Sequence, residues 1–167
     1  KYEQAINWPD GPKWIKEIAN EHNRMVKNKV FEPVKIKDLP AATKAIDSTW
    51  TCKKKSNRTL RGRLNARGFK QIEGQHFDGS SIHAPVTNAA TIQIVFTLML
   101  MAGWSAYVVD VKGAFLHGKF EDGEEIYMKV PKGFERYYAK DVVLKLLKCI
   151  YGLKQAAMAF WRQLLRC

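Results

Sequence analysis

The feature that most constrains the fold of this chain is a segment with strict two-residue alternation, residues 60–67. One set of alternating positions holds Arg61, Arg63, Asn65 and Arg67, and the other holds only small or apolar residues. Because successive side chains of a strand point to opposite faces, the segment predicts a β-strand with one cationic face and one packing face. Turn-forming residues at 56–57 precede it, so residues 46–55 are predicted to form the first arm of a β-hairpin.

This hairpin also carries the strongest charge asymmetry in the sequence. Eight basic residues and no acidic residue fall within positions 53–70: Lys53, Lys54, Lys55, Arg58, Arg61, Arg63, Arg67 and Lys70. The chain of 167 residues has a formal net charge of +12, which exceeds what solubility requires and favours a polyanionic partner. Arginines ordered on one face suit bidentate contacts with phosphate. The alternative is a solvated edge hairpin whose lysines discourage aggregation.

The remaining periodicities predict an α+β fold. In chain order, they indicate a helix at 13–28, an edge strand at 30–36, the hairpin, a loop at 71–86, a buried apolar helix at 89–102, strands at 104–111, 126–130 and 142–150, and a closing helix at 152–166. An acidic cluster at Glu121, Asp122, Glu124 and Glu125 is expected in an exposed turn, where its carboxylates would be solvated.

Asp110 is the single carboxylate of the strand predicted at 104–111. A buried carboxylate is costly unless a cation or a metal ion balances it, and Mg²⁺ prefers oxygen ligands of this kind. The alternative is an Asp-x-x-Gly turn, in which the side chain of Asp110 caps the backbone ahead of Gly113.

Several classes of protein lose support from the sequence. The three cysteines Cys52, Cys149 and Cys167 are far apart and no histidine lies near them at ligand spacing, which argues against disulfide frameworks and structural zinc. Phosphate-binding loops, dinucleotide-binding fingerprints, nucleophile elbows and zinc-protease motifs are not found. The apolar run at 95–104 is too short to span a bilayer, and residues 1–10 do not form a secretory signal. We therefore expect a reducing compartment, either cytoplasmic or nuclear.

Seven short motifs occur in a fixed order along the chain. They are R-G-R-L-N-A-R-G-F-K-Q (61–71), A-P-V (84–86), G-W (103–104), V-D-V-K-G-A-F-L-H-G (109–118), E-I-Y-M (125–128), P-K-G-F (131–134) and Y-G-L-K-Q-A (151–156). In this order the sequence resembles copia-type retrotransposon reverse transcriptases over residues 14–167. The resemblance implies part of a right-hand polymerase within a Pol polyprotein, with fingers and an incomplete palm built from an antiparallel sheet and flanking helices. It predicts one partial domain over 1–167, with an N-terminal helical segment at 1–29, mostly fingers at 30–103, and the start of the palm at 104–167.

The resemblance also implies roles for individual residues. Asp110 would bind both catalytic Mg²⁺ ions, with the carbonyl oxygen of Val111 as a further ligand. Phe115 would pack under the incoming sugar and reject a 2′-hydroxyl. The triphosphate would contact Arg61 and Arg63, and the nucleotide pocket would include Lys154 and Gln155. The implied partners are an RNA or DNA template-primer, deoxynucleoside triphosphates and the remainder of the Pol polyprotein, with no membrane.

Two departures from the family pattern limit these expectations. Ala157 stands where the family commonly has proline, and a helix tolerates this alanine. The paired aspartates that complete the metal site in the family follow the Y-G-L-K-Q motif and are not found in this sequence. Because two metal ions require more than one carboxylate, we expect the chain to be inactive alone, as a fragment of the enzyme. The alternatives are a non-catalytic nucleic-acid-binding remnant and an inert truncated product that aggregates through exposed sheet edges.

Overall fold

The computed structural model describes residues 2–41, 43–121 and 123–166. Within these ranges the helices are α1 (Tyr2–Ile6), α2 (Gly11–Lys27), α3 (Ala89–Ala102) and α4 (Ala156–Leu164). The strands are β1 (Phe31–Lys35), β2 (Ser48–Lys54), β3 (Leu60–Ala66), β4 (Ile126–Lys129) and β5 (Val142–Leu146). All named strands pair antiparallel and helices flank them, so the predicted α+β fold with antiparallel sheets and flanking helices is confirmed.

A three-stranded sheet has the order β1, β5, β4. Leu146 of the central strand lies opposite Phe31 on one side and Ile126 on the other. Pro33 lies in β1, an outer strand. A residue without a backbone N–H is tolerated there because an outer strand pairs on one side only. The predicted edge strand is therefore confirmed, and the two later strands are shorter than predicted at their C-terminal ends.

The basic hairpin consists of β2 and β3, which form a separate two-stranded sheet. Its register places Thr51 opposite Arg63 and Lys53 opposite Arg61. Burial alternates along β3 as the sequence predicts, because Gly62, Leu64 and Ala66 are buried while Arg63 and Asn65 between them are only half-buried. The hairpin and its two unlike faces are confirmed.

Helix α2 covers the packing face of this hairpin. Its buried stripe includes Trp14, Ile18 and Met25, which recur at helical spacing. The core continues into the three-stranded sheet, where Leu144, Ile126 and Met128 are fully buried together with Phe134 and Leu64. The indole N–H of Trp50 joins the two parts by donating a hydrogen bond of 2.8 Å to the carbonyl oxygen of Lys132.

Helix α3 forms where the sequence predicts it, but the prediction that it is buried is wrong. Asn88 accepts a hydrogen bond of 2.8 Å from the N–H of Thr91 at its start, and Gly103 ends it with a φ of 64°. No residue of α3 is buried. Local hydrogen bonds and caps determine where a helix begins and ends, whereas burial requires a second apolar surface. Within the described ranges, no helix has both the length and the apolar character that crossing a membrane requires.

The strand predicted at 104–111 is also wrong. Residues 104–110 have no regular secondary structure, and Val108 is 100% exposed. A strand is stable only when a neighbour pairs with its backbone N–H and C=O groups, and none of the described strands pairs with this segment. The predicted closing helix begins at Ala156 instead of 152, since residues 151–155 form a turn.

The acidic segment at 121–125 matches its prediction in part. Glu121 and Glu125 are exposed and form ion pairs with Arg162 and Lys145. Glu124 is half-buried, and burial raises the pKa of its carboxyl group. Asp122 lies outside the described residues, as does Cys167. Cys52 and Cys149 are free thiols, and burial raises the pKa of Cys149 to about 12.

The surroundings of His22 in α2 predict that the stability of the chain depends on pH. Its imidazole is buried, stacks on Tyr137 with ring centroids 3.9 Å apart, and lies 2.8 Å from the hydroxyl of Tyr138. Burial lowers the pKa of His22 below its usual value. The unfolded chain therefore binds a proton more readily than the folded chain, and the stabilisation is present above the unfolded pKa of about 6.5 and is lost as the pH falls.

We expect the free energy of unfolding in urea to fall between about pH 7.5 and about pH 5.5. His22→Gln should flatten this dependence. His83→Gln is the control, because His83 is exposed and the variant should keep the wild-type slope. Equal slopes for the two variants would contradict the prediction.

Candidate functional site

A cavity of about 700 Å³ lies between the basic hairpin and the segment 110–117. The end of α2 and the side chain of Tyr151 also line it. It brings together five of the seven site residues that the sequence resemblance implies, namely Arg61, Arg63, Asp110, Val111 and Phe115. We call this space the hairpin cavity.

The wall opposite the hairpin is a tight turn followed by a short 3-10 helix, Ala114–His117. Gly113 is the N-cap residue of this helix and has a φ of 68°, a left-handed conformation that favours glycine. The N–H of Leu116 donates a hydrogen bond of 2.8 Å to the carbonyl oxygen of Gly113, and the buried Leu116 side chain anchors the turn in the core. Gly118 then contacts the backbone of Ala159 in α4, where an added Cβ would lie 3.0 Å away. These contacts fix the backbone that carries Phe115.

The hairpin cavity is strongly electropositive. Its lining includes five basic side chains, those of Arg24, Lys55, Arg61, Arg63 and Lys112, and one acidic side chain. Arg24 pairs with Glu21, whereas the other four have no ion pair within the described part of the chain. Such a surface attracts an anionic ligand that carries several charges.

Asp110 is the one carboxylate of this lining. The prediction that its side chain is buried is wrong, because residues 104–110 are exposed throughout. Among residues 2–41, 43–121 and 123–166, the carboxylate has no ion pair and no hydrogen bond, so the alternative of a backbone cap ahead of Gly113 is not observed either. Its oxygens are therefore available to a ligand in the hairpin cavity.

Tyr151 is a residue of the site that the sequence reasoning did not select. Its ring centroid lies 5.0 Å from the guanidinium carbon of Arg63 and 5.0 Å from the ring centroid of Phe115. The ring therefore contacts one residue of each wall of the hairpin cavity. The only sequence signal is its position as the first residue of the Y-G-L-K-Q motif.

Lys154 and Gln155, the other two implied site residues, do not line the hairpin cavity. Gln155 is 3% exposed, accepts a hydrogen bond of 2.9 Å from the amide of Gln71 and donates one of 2.9 Å to the carbonyl oxygen of His76. The ammonium of Lys154 lies 4.3 Å from the ring centroid of Phe77. These contacts join the 151–155 turn to the loop after β3, and a direct contact of either residue with a nucleotide stays a prediction.

Comparison with known proteins gives a match to a family described as "Reverse transcriptase (RNA-dependent DNA polymerase)" over residues 28–167. The chain belongs to the reverse transcriptase family. The predicted resemblance to copia-type elements is confirmed, since the relatives are Pol polyproteins of plant transposons. The Retrovirus-related Pol polyprotein from transposon TNT 1-94 of Nicotiana tabacum is 34% identical over 92% of this chain. Those from transposons RE2 and RE1 of Arabidopsis thaliana are 31% and 30% identical over 96% of it.

This reverse transcriptase sequence spans 11% of the length of each of these relatives. No solved structure matches it.

Reverse transcriptases generally use divalent metal ions, and the donors in the hairpin cavity fit one part of such a site. The carboxylate of Asp110 is a hard oxygen ligand with no competing partner in the described chain, and Val111 adds a backbone carbonyl oxygen to the same lining. Within the described residues no group of three or more His, Cys, Asp or Glu side chains could hold an ion. Mg²⁺ at phosphoryl-transfer sites takes one or two carboxylates together with substrate phosphates, so this donor set fits an ion that arrives with a nucleotide.

Proposed function

We propose that this chain forms the fingers and the first part of the palm of an RNA-directed DNA polymerase, and that the hairpin cavity receives the incoming deoxynucleoside triphosphate. One observation supports this most strongly. Asp110 lines the same cavity as Arg61 and Arg63, although the carboxylate and the arginines lie far apart in the sequence. A phosphate chain with a bound magnesium ion needs both kinds of group within reach.

Each side chain has a distinct role in this proposal. The guanidinium groups of Arg61 and Arg63 bind phosphate oxygens in a planar, bidentate manner. The carboxylate of Asp110 and the carbonyl oxygen of Val111 hold magnesium, which when bound neutralises phosphate charge and orients the transferred group. Phe115 is half-buried and is held by the 3-10 turn, so its ring can face the sugar.

The proposal separates nucleotide binding from polymerisation. Nucleotidyl transfer with two metal ions requires carboxylates that bridge them, and the described lining of the hairpin cavity contributes one acidic side chain. We therefore expect this chain to bind the magnesium complex of a nucleotide, and to need further carboxylates from the rest of the Pol polyprotein to extend a primer.

Binding of magnesium and dATP to the chain, measured by isothermal titration calorimetry, tests the proposal. Arg61→Ala and Arg63→Ala should each weaken the affinity at least about tenfold, since a hydrogen bond to a charged group contributes about 1.5 to 3 kcal/mol. Lys54→Ala is the matched control, because Lys54 lies on the same hairpin but its ammonium pairs with Asp10 at 3.0 Å. Equal affinities for all three variants would contradict the proposal.

Phe115 should determine how well the site distinguishes deoxyribose from ribose. Phe115→Ala removes the ring that would contact the 2′-hydroxyl, so the preference for dATP over ATP should shrink by about tenfold, as expected for a steric contact of about 1 to 3 kcal/mol. Phe115→Tyr keeps the ring and should keep the preference. The measurement is the ratio of the two affinities, and a ratio that Phe115→Ala leaves unchanged would remove Phe115 from the sugar site.

A second function, sequence-independent nucleic-acid binding, is favoured by the same hairpin. Lys70 pairs with Asp47 and Lys54 with Asp10. The other six basic residues of positions 53–70 have no acidic partner in the part of the chain that the structure describes; they are Lys53, Lys55, Arg58, Arg61, Arg63 and Arg67. Lysine and arginine side chains without an acidic partner, grouped on one hairpin, can neutralise several phosphates of a nucleic-acid backbone.

This function predicts a steep dependence of RNA affinity on salt. Arg58→Ala should lower the slope of log affinity against log salt concentration by about one, because one phosphate contact is lost. Fluorescence anisotropy with a labelled single-stranded RNA measures the slope. Lys70→Ala serves as the control, because the ammonium of Lys70 already forms an ion pair with Asp47. RNA affinity that does not change with salt would exclude this function. RNA binding without any nucleotide binding would favour it over the polymerase site.

A further inference from the structure

We propose that Tyr151 is a positioning residue that holds Arg63 and Phe115 in place on opposite walls of the hairpin cavity. Its consequence for ligand binding depends on the proposed function, because Arg63 and Phe115 are the residues assigned to phosphate and sugar. The positioning itself depends only on the contacts of the three side chains.

The Tyr151 ring makes two different contacts at the same distance. The guanidinium carbon of Arg63 lies 5.0 Å from the ring centroid, in the range of a cation–π contact. The ring of Phe115 meets it edge-on, with centroids 5.0 Å apart and an interplanar angle of 72°. One aromatic side chain therefore joins the basic strand to the 3-10 turn.

Arg63 depends on this contact because part of its guanidinium has no other partner. Its Nε atom is buried and makes no hydrogen bond within the described residues, and no carboxylate there pairs with the group. A long side chain without a fixed partner samples several rotamers, and ordering it on binding weakens affinity. The cation–π contact with Tyr151 orders the guanidinium before any phosphate arrives.

The backbone around Tyr151 is itself held tightly against the end of β3. The N–H of Ala66 donates a hydrogen bond of 2.7 Å to the carbonyl oxygen of Tyr151. Gly152 has a φ of +88°, and a Cβ at this position would lie 2.3 Å from the carbonyl oxygen of Ala66. A Cβ on Gly68 would lie 2.0 Å from the carbonyl oxygen of Gly152. The two chain segments therefore meet backbone to backbone, and this fixes the position from which the Tyr151 ring projects.

The hydroxyl group of Tyr151 makes no hydrogen bond within the described part of the chain. This makes Tyr151→Phe a matched variant that keeps the ring, and Tyr151→Leu a variant that removes it. Arg63→Lys is the complementary change, because lysine keeps the charge but lacks the planar group that stacks on a ring.

The test uses the chain with magnesium and three probes: tripolyphosphate, dATP and ATP. Calorimetry should show that Tyr151→Leu weakens tripolyphosphate and dATP binding about fivefold, the size of a partly exposed cation–π contact. The preference for dATP over ATP should shrink in the same variant, because Phe115 loses its support. Tyr151→Phe should rescue both properties, whereas Arg63→Lys should reproduce only the loss of phosphate affinity. Loss of fold stability alone would lower phosphate affinity and sugar preference together in both variants. It would not leave the sugar preference intact in Arg63→Lys.

A second measurement does not depend on ligand binding. The Nε–H resonance of Arg63, observed by NMR in the free chain, should shift in Tyr151→Leu and return in Tyr151→Phe, since the ring current of residue 151 acts on it directly. If the wild-type chain binds none of the probes, the proposed function fails and this resonance alone decides whether Tyr151 positions Arg63.

Three results would overturn the inference. The first is a Tyr151→Leu variant that binds all three probes with wild-type affinity and shows an unchanged Arg63 resonance. The second is a Tyr151→Phe variant as impaired as Tyr151→Leu, which would assign the effect to the hydroxyl group. If circular dichroism shows that Tyr151→Leu does not fold, Arg63→Lys decides, and tripolyphosphate affinity equal to wild type would be the third.

Discussion

Replacing Asp110 with asparagine in a copia-type reverse transcriptase that carries residues 14–167 of this chain should lower the rate of primer extension by about a thousandfold. A carboxylate that binds the metal ion and stabilises the transition state by about 4 kcal/mol accounts for a rate difference of about a thousandfold. Asparagine has the same shape and lacks the charge, so the variant removes a metal ligand without opening a hole in the fold. Because Asp110 is exposed, no loss of core packing accompanies the change.

The control is Asp141→Asn, which removes an exposed carboxylate that does not line the hairpin cavity. It should extend primers at the wild-type rate. Tripolyphosphate binding in the absence of magnesium should survive in Asp110→Asn, since Arg61 and Arg63 are unchanged. Primer extension that persists in Asp110→Asn would refute the metal role, and loss of metal-free tripolyphosphate binding would show that the substitution disturbs the cavity as a whole.

Asp110 also illustrates which parts of the fold the sequence predicts poorly. Residues 104–111 are rich in aromatic and β-branched residues, which favours a strand, but this composition describes only the segment itself. The hairpin arm at 60–67 forms because residues 48–54 pair with it across a short turn. Residues 104–110 have no pairing partner among the described strands. A local pattern therefore predicts a strand only where the fold supplies a neighbour, as β5 does for β1 although the two strands lie far apart in sequence.

Helix α3 shows the same limit for helices. Its caps at Asn88 and Gly103 are readable from sequence, and the helix forms between them. Whether an apolar helix is buried depends on which surface meets it, and this information is not in the helix. The prediction of a buried helix is wrong for that reason.

Alternation predicts the cationic face that carries Arg61 and Arg63, whereas the complete set of site residues comes from the motifs. The sequence resemblance selected Arg61, Arg63, Asp110, Val111 and Phe115, which the fold brings to one cavity. It gave no geometry, so it could not distinguish the first residue of the Y-G-L-K-Q motif, which contacts that cavity, from the last, which is buried against Gln71. Tyr151 was missed because an aromatic ring in a motif has no chemical signature of its own until its neighbours are known.

Gly152→Ala should cause a large loss of stability. The position has a φ of +88°, which costs an L-residue about 1 kcal/mol, and the new Cβ would lie 2.3 Å from the carbonyl oxygen of Ala66. Relief of this clash requires the 151–152 backbone to leave β3, which breaks the hydrogen bond from Ala66 to Tyr151. We expect the free energy of unfolding to fall by about 3 to 4 kcal/mol.

Urea denaturation of the chain measures this loss by linear extrapolation. Gly123→Ala is the matched control, because Gly123 has a φ of +90° and no described atom lies within 4 Å of the added Cβ. It should lose only about 1 kcal/mol, from the backbone conformation alone. The difference between the two variants isolates the contact between the motif turn and β3. If Gly152→Ala is as mild as Gly123→Ala, the turn is not fixed by this contact, and the position of Tyr151 over Arg63 must have another cause.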